Sequence, residues 1–111
     1  MSWLPPVDVF EHPDRFELYV DLPGVDPASV ELVLDDGVLT LKGERRTVQA
    51  EQPAAGRLWR SERSQGRFER RFVLPDAADG EKVQAKTEHG VLQVTIAKRA
   101  PAVAQRIKIA A

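Results

Sequence analysis

Cysteine is absent from the 111-residue chain, which excludes a disulfide, a thiolate metal site and a cysteine nucleophile, and fits a reducing compartment. Histidine occurs only twice. His12 precedes Pro13 and His89 precedes Gly90, so both read as turn residues, with a ligand or acid-base role as the alternative. No HExxH, GxSxG, GxGxxG or phosphate-binding loop occurs. The carboxylates fall mostly on polar strand positions or in turns, as solvated surface charge does. Catalysis, a metal and a cofactor are therefore not expected. Nor does any run approach the roughly 20 apolar residues of a membrane-spanning helix, and Met1-Ser2-Trp3-Leu4-Pro5-Pro6 lacks the basic-then-apolar order of a secretion signal. The expectation is a cytoplasmic protein with no membrane partner.

Helical spacing of apolar residues is also missing; the period is two. Phe16, Leu18, Val20 and Leu22 alternate with Glu17, Tyr19 and Asp21, and Val30, Leu32 and Leu34 repeat the pattern. Leu39 and Leu41 follow, and Leu92, Val94 and Ile96 alternate with Gln93 and Thr95. Turn chemistry separates these runs at His12-Pro13-Asp14, Pro23-Gly24, Asp35-Asp36-Gly37, Asp79-Gly80 and His89-Gly90. Asp26-Pro27-Ala28-Ser29 suits a single helical turn. The expected fold is all-β, an immunoglobulin-like β-sandwich of antiparallel strands.

Two segments break the alternation. Residues 47–56 are small and polar, an insertion that leads into a strand-like Leu58-Trp59-Arg60-Ser61-Glu62. Residues 100–105 read as a linker, after which Ile107 and Ile109 share one face of an extended peptide. They suit either a last strand of the sandwich or two pockets along the sheet edge of another chain.

Net charge is only −1, but unevenly spread. Residues 1–36 sum to −8, with nine carboxylates against Arg15, whereas residues 57–71 sum to +4 through Arg57, Arg60, Arg63, Arg67, Arg70 and Arg71. Such a basic stretch attracts either phosphate backbones or the acidic part of a protein. Trp59 and Phe68 among the arginines are ingredients of a single-strand nucleic-acid groove. However, Phe68 shares its strand face with Phe72 and Leu74, and the near-balanced charge does not fit a dedicated binder, so no nucleic acid is expected. In GRFERRFVLP (residues 66–75) the alternation puts Arg70 in the apolar row between Phe68 and Phe72, a cation that cannot be neutralised by losing its proton.

The chain resembles the α-crystallin domain of small heat shock proteins of the bacterial type. The resemblance rests on Trp3-Leu4-Pro5-Pro6-Val7-Asp8-Val9, Val20-Asp21-Leu22-Pro23-Gly24-Val25, Leu39-Thr40-Leu41-Lys42-Gly43-Glu44-Arg45, GRFERRFVLP, Ala85-Lys86-Thr87-Glu88-His89-Gly90-Val91-Leu92 and Ile107-Lys108-Ile109, in the family's order. It implies an ATP-independent holdase for partly unfolded client proteins, with a domain over residues 1–100 and an extension over residues 101–111. It also implies a homodimer, extended to higher oligomers through the tail, in which the loop of residues 46–62 carries a strand across to the partner. The interface would hold Val7, Asp8, Val9 and Phe10 from one copy and Leu58, Trp59, Arg60, Ser61 and Glu62 from the other. Arg70 would meet a carboxylate there. Val30, Leu32, Leu34, Val83 and Ala85 would line an edge groove for the tail residues Ile107 and Ile109 or for a client. Such chains place a hydrophobic arm ahead of the Trp3 region, and only Met1 and Ser2 stand there, so the arm reads as missing or trimmed and the assembly as a small one. A co-chaperone module of the CS-domain type is the alternative; it lacks the strap and the tail.

Overall fold

The computed structural model describes residues 3–46, 56–100 and 106–110. The loop residues 47–55 and the linker residues 101–105 lie outside the described residues. Among the described residues seven strands form: β1 (Val7–Glu11), β2 (Arg15–Asp21), β3 (Glu31–Asp35), β4 (Val38–Arg45), β5 (Gly66–Val73), β6 (Ala78–Glu88) and β7 (Val91–Lys98). A 3₁₀ turn at Pro27–Ser29 follows Asp26, whose carboxylate accepts from the Ala28 N–H. Among the described residues no helix is long and apolar enough to cross a membrane.

The strands make two antiparallel sheets, ordered β1-β2-β7-β6 and β3-β4-β5. Alternation decides what lies between them. Phe16, Leu18 and Val20 of β2 stand opposite Ile96, Val94 and Leu92 of β7, and all six are buried. Leu39, Leu41 and Phe68 close the core from the second sheet. Each such side chain contributes about 1.5–3 kcal/mol relative to an exposed one. Two hairpins are set by residue type. Asp36 (φ 50°) with Gly37 (φ 75°) joins β3 to β4, and His89 (φ 54°) with Gly90 (φ 78°) joins β6 to β7, the two-residue turn that needs positive φ at both positions.

Asp79-Gly80, expected as a turn, lies inside β6. The pairing with β7 slips between Ala78 and Val83, and the Asp79 carboxylate accepts from the Glu81 N–H. The same residue types serve a bulge here, because Gly80 lies against the Leu34 side chain of the facing sheet.

Residues ahead of β1 tie the two sheets together at one end. Pro6 carbonyl accepts from Asp21 N–H at 3.1 Å, and Trp3 N–H donates to the Arg67 carbonyl of β5 at 3.0 Å. The Trp3 ring meets Phe68 edge-on, with centroids 5.3 Å apart. Phe68 in turn lies over Gly43, its cross-strand neighbour on β4.

Candidate functional site

β1 ends its sheet, so its outer row of backbone N–H and C=O groups has no strand partner among the described residues. Its residues Val7, Asp8, Val9 and Phe10 pair inward with Val20, Tyr19, Leu18 and Glu17. Val9 and Phe10 are nevertheless half exposed, at 50% and 49%, with Phe10 edge-on to Tyr19 at 5.7 Å. The expected strand at Leu58, Trp59, Arg60, Ser61 and Glu62 pairs with no other strand among the described residues. Leu58 is 56% and Trp59 87% exposed. A strand exists only where a ladder partner does, and this segment has none among the described residues.

Across the molecule, the outer edges of the two sheets, β3 and β6, flank an open cleft of about 330 Å³. Val30, Leu32 and Ala85 of the expected groove line it, joined by Pro27, the aliphatic reach of Lys86, Thr87 and Leu92. It continues into a second hollow of about 270 Å³ floored by Leu22, Val25 and Leu92 and closed by His89 and Gly90. Leu34 and Val83 do not line this cleft; like Val30 and Leu32 they are partly buried and pack against the core. Ile107 and Ile109 stand 83% and 89% exposed and lie outside the strands.

Arg70 lies on the inner face of β5 and is half-buried. Its guanidinium sits 5.2 Å from the Phe72 ring centre and donates one long bond, 3.4 Å, to the Pro5 carbonyl. Among the described residues no carboxylate comes within ion-pair distance of it.

Two charged centres were not singled out in the sequence. The first is Arg45, which the Leu39, Leu41, Gly43 alternation carries to the inner face at the end of β4, and which is 9% exposed. Its Nε donates to the Ser64 carbonyl at 2.7 Å and Nη2 to the same oxygen, while Nη1 donates to the Pro23 carbonyl at 3.3 Å. The guanidinium stacks on the Trp3 ring at 4.0 Å. Burial, and then the nearby Arg63 cation, hold its pKa below the usual guanidinium range. Arg45 thereby fastens the root of the 56–65 segment to the Pro23-Gly24 turn.

The second is Glu17, buried on the outer face of β2. Tyr19 Oη and, at 2.7 Å, Arg15 Nε donate to its carboxylate, with His12 Nε2 at 3.2 Å and Gln93 Nε2 at 3.5 Å. The Arg15-Glu17-Tyr19 spacing on one strand face was the available signal. The Tyr19 hydroxyl and Arg15 hydrogen bonds hold the carboxyl below its ordinary value of 4.5, against the opposing effect of desolvation. A depressed folded-state pKa stabilises the fold above the ordinary value and is lost as pH falls through the lower folded value. Glu17→Gln should therefore be less stable than the parent at neutral pH, and its stability should decline less steeply below pH 4.5, as measured by chemical denaturation across pH.

A family model described as the Hsp20/alpha crystallin family matches residues 8–110. The chain is 43% identical over 96 residues to the chloroplastic heat shock 22 kDa protein of Chlamydomonas reinhardtii, covering 86% of this chain and 61% of that protein. It thus spans about six-tenths of the length of the curated relatives it matches. Among solved structures it is similar to a small heat-shock protein from Xylella fastidiosa, at 46% identity and a TM-score of 0.85 with 98% of each chain covered. It is also similar to HspA from Xanthomonas axonopodis, at 44% identity and a TM-score of 0.78, covering 91% of this chain and 98% of that one.

Proposed function

The chain belongs to the Hsp20/alpha crystallin family of small heat shock proteins, which are chaperones, and from that premise we propose that it is an ATP-independent holdase that binds partly unfolded proteins and keeps them from aggregating, with no enzymatic step. The observation that carries the reading is the open apolar cleft between β3 and β6, at a free edge of each sheet. An extended client segment can lay alternate side chains into it while its backbone runs along the edge. Ile107 and Ile109 of a neighbouring copy have the same spacing and compete for the same seat, so tail release sets how much cleft is free. On this reading residues 1–100 are the chaperone domain and residues 101–111 its tether, and the cysteine-free composition suits work in the cytoplasm.

The assembly unit is a homodimer in which residues 58–62 of each copy add a strand to the β1 edge of the other. Support comes from the unpaired β1 edge, the exposed Leu58 and Trp59, and the opposite charges of the two segments. Arg70 then meets a carboxylate of the second copy. Arg70→Ala should raise the dimer dissociation constant about tenfold or more, read by sedimentation. An unchanged constant together with an unchanged melting temperature would remove Arg70 from the interface.

Light scattering of a heat-labile client without nucleotide tests the holdase itself. The parent should suppress aggregation and Leu32→Lys should lose most of that effect, because the lysine places a charge in the cleft. Failure of the parent to suppress aggregation at molar excess would refute the reading.

A further inference from the structure

The two segments offered to one another carry matched patterns. Asp8-Val9-Phe10-Glu11 on β1 reads acid, apolar, apolar, acid, and Arg57-Leu58-Trp59-Arg60 reads base, apolar, apolar, base. Their four apolar side chains, Val9, Phe10, Leu58 and Trp59, are all among the large hydrophobic residues that the single chain leaves exposed. Among the described residues Asp8 and Arg57 enter no ion pair, and Arg60 holds only its neighbour Glu62, at 2.8 Å between two exposed side chains. Such surface pairs are worth little and are readily exchanged. Glu11 is held at 2.7 Å by Lys98 and can accept a second cation.

Resting on the strap-exchange reading above, we propose that these two blocks fix the register of the dimer: antiparallel, with Arg60 opposite Asp8, Trp59 opposite Val9, Leu58 opposite Phe10 and Arg57 opposite Glu11 of the second copy. Sliding the antiparallel pairing by one residue in either direction sets Trp59 or Leu58 against a carboxylate. Sliding it by two sets Leu58 against Asp8, or Glu62 against Asp8. Every one of these slides loses both charge pairs and keeps at most one apolar pair, such as Leu58 on Val9 or Trp59 on Phe10, and the slide that sets Glu62 against Asp8 also opposes like charges directly. Parallel pairing matches the blocks equally in charge. It is disfavoured because every strand pair in both sheets is antiparallel, the ladder with the better hydrogen bonds, and because it stacks Trp59 on Phe10 while leaving Leu58 on the small Val9. The blocks are then the specificity determinant. A chain lacking the charges at these positions would exchange straps with this one poorly.

The absence of native cysteine makes the register directly readable. Directly opposed Cα atoms in an antiparallel pair are about 4.5–5.5 Å apart, within disulfide reach. Mixing a Ser61→Cys protein with a mass-tagged Val7→Cys protein under mild oxidation should give the mixed disulfide. Coupling of Ser61→Cys to His12→Cys instead overturns the register while leaving strap exchange standing, because those two positions face each other only in the parallel arrangement. Coupling at neither site while the dimer persists overturns both. Charge reversal gives an independent readout: Arg60→Glu should weaken the dimer about tenfold or more, and adding Asp8→Arg should restore it. Restoration by Glu11→Arg rather than Asp8→Arg overturns the proposal.

Discussion

A Gly43→Val substitution is expected to cost about 3 kcal/mol or more, the upper end of what overpacking a core usually does. A Cβ at Gly43 would lie 2.8 Å from Phe68 Cε1 and 3.3 Å from Cε2, with Cζ nearer still. Phe68 cannot swing aside, because it is 3% exposed and Trp3 packs against it edge-on. The glycine is therefore the complement of the ring: the absent side chain makes room for the aromatic to cover the strand. Urea denaturation followed by tryptophan fluorescence measures the loss. Adding Phe68→Ala should make the valine less costly than it is in the parent, since the two residues share one space. An unfolding free energy within about 0.5 kcal/mol of the parent, the range of an ordinary surface change, would show that the ring does not occupy that space.

Arg45→Met should cost about 3 kcal/mol, summing charge-assisted hydrogen bonds to two carbonyls and the stack on Trp3. Methionine keeps much of the apolar stem and removes only the cation, so the loss reports the guanidinium. Arg45→Lys should recover less than half, because a point charge on a flexible stem cannot donate to Ser64 with two nitrogens and reach Pro23 while lying flat on an indole. Trp3 fluorescence should change in both variants. Full recovery by lysine would mean that charge alone matters there.

The core was legible because alternation is a local property: Phe16, Leu18, Val20, Leu39, Leu41, Leu92, Val94 and Ile96 are all buried as the period of two requires. The hairpins at Asp36-Gly37 and His89-Gly90 were legible for the same reason, since positive φ is demanded by the turn and supplied by the residue. Asp79-Gly80 was not, because a bulge and a turn ask for the same residues and only the facing Leu34 tells them apart. Arg45 obeys the same rule as Arg70, an arginine continuing an apolar row. What differs is the company. Arg45 finds carbonyls brought from 19 and 22 residues away, and such contacts have no local signature. Strand order suggests Val30, Leu32, Leu34, Val83 and Ala85 together as groove residues; Val30, Leu32 and Ala85 line the cleft between β3 and β6 and Leu34 and Val83 do not, because which residues reach a rim depends on how the sheets twist past one another, and alternation along one strand does not report that. Residues 58–62 have the composition of a strand, and among the described residues no neighbour pairs with them to make one.

The partners of Arg45 are neutral oxygens of the main chain, which neither titrate nor gather counterions as a carboxylate does. Acid and brine that loosen the Glu17 cluster therefore leave this rivet untouched. A molecule meeting sudden acidification is expected to soften first along the outer face of β2 while the root of the 56–65 segment stays pinned.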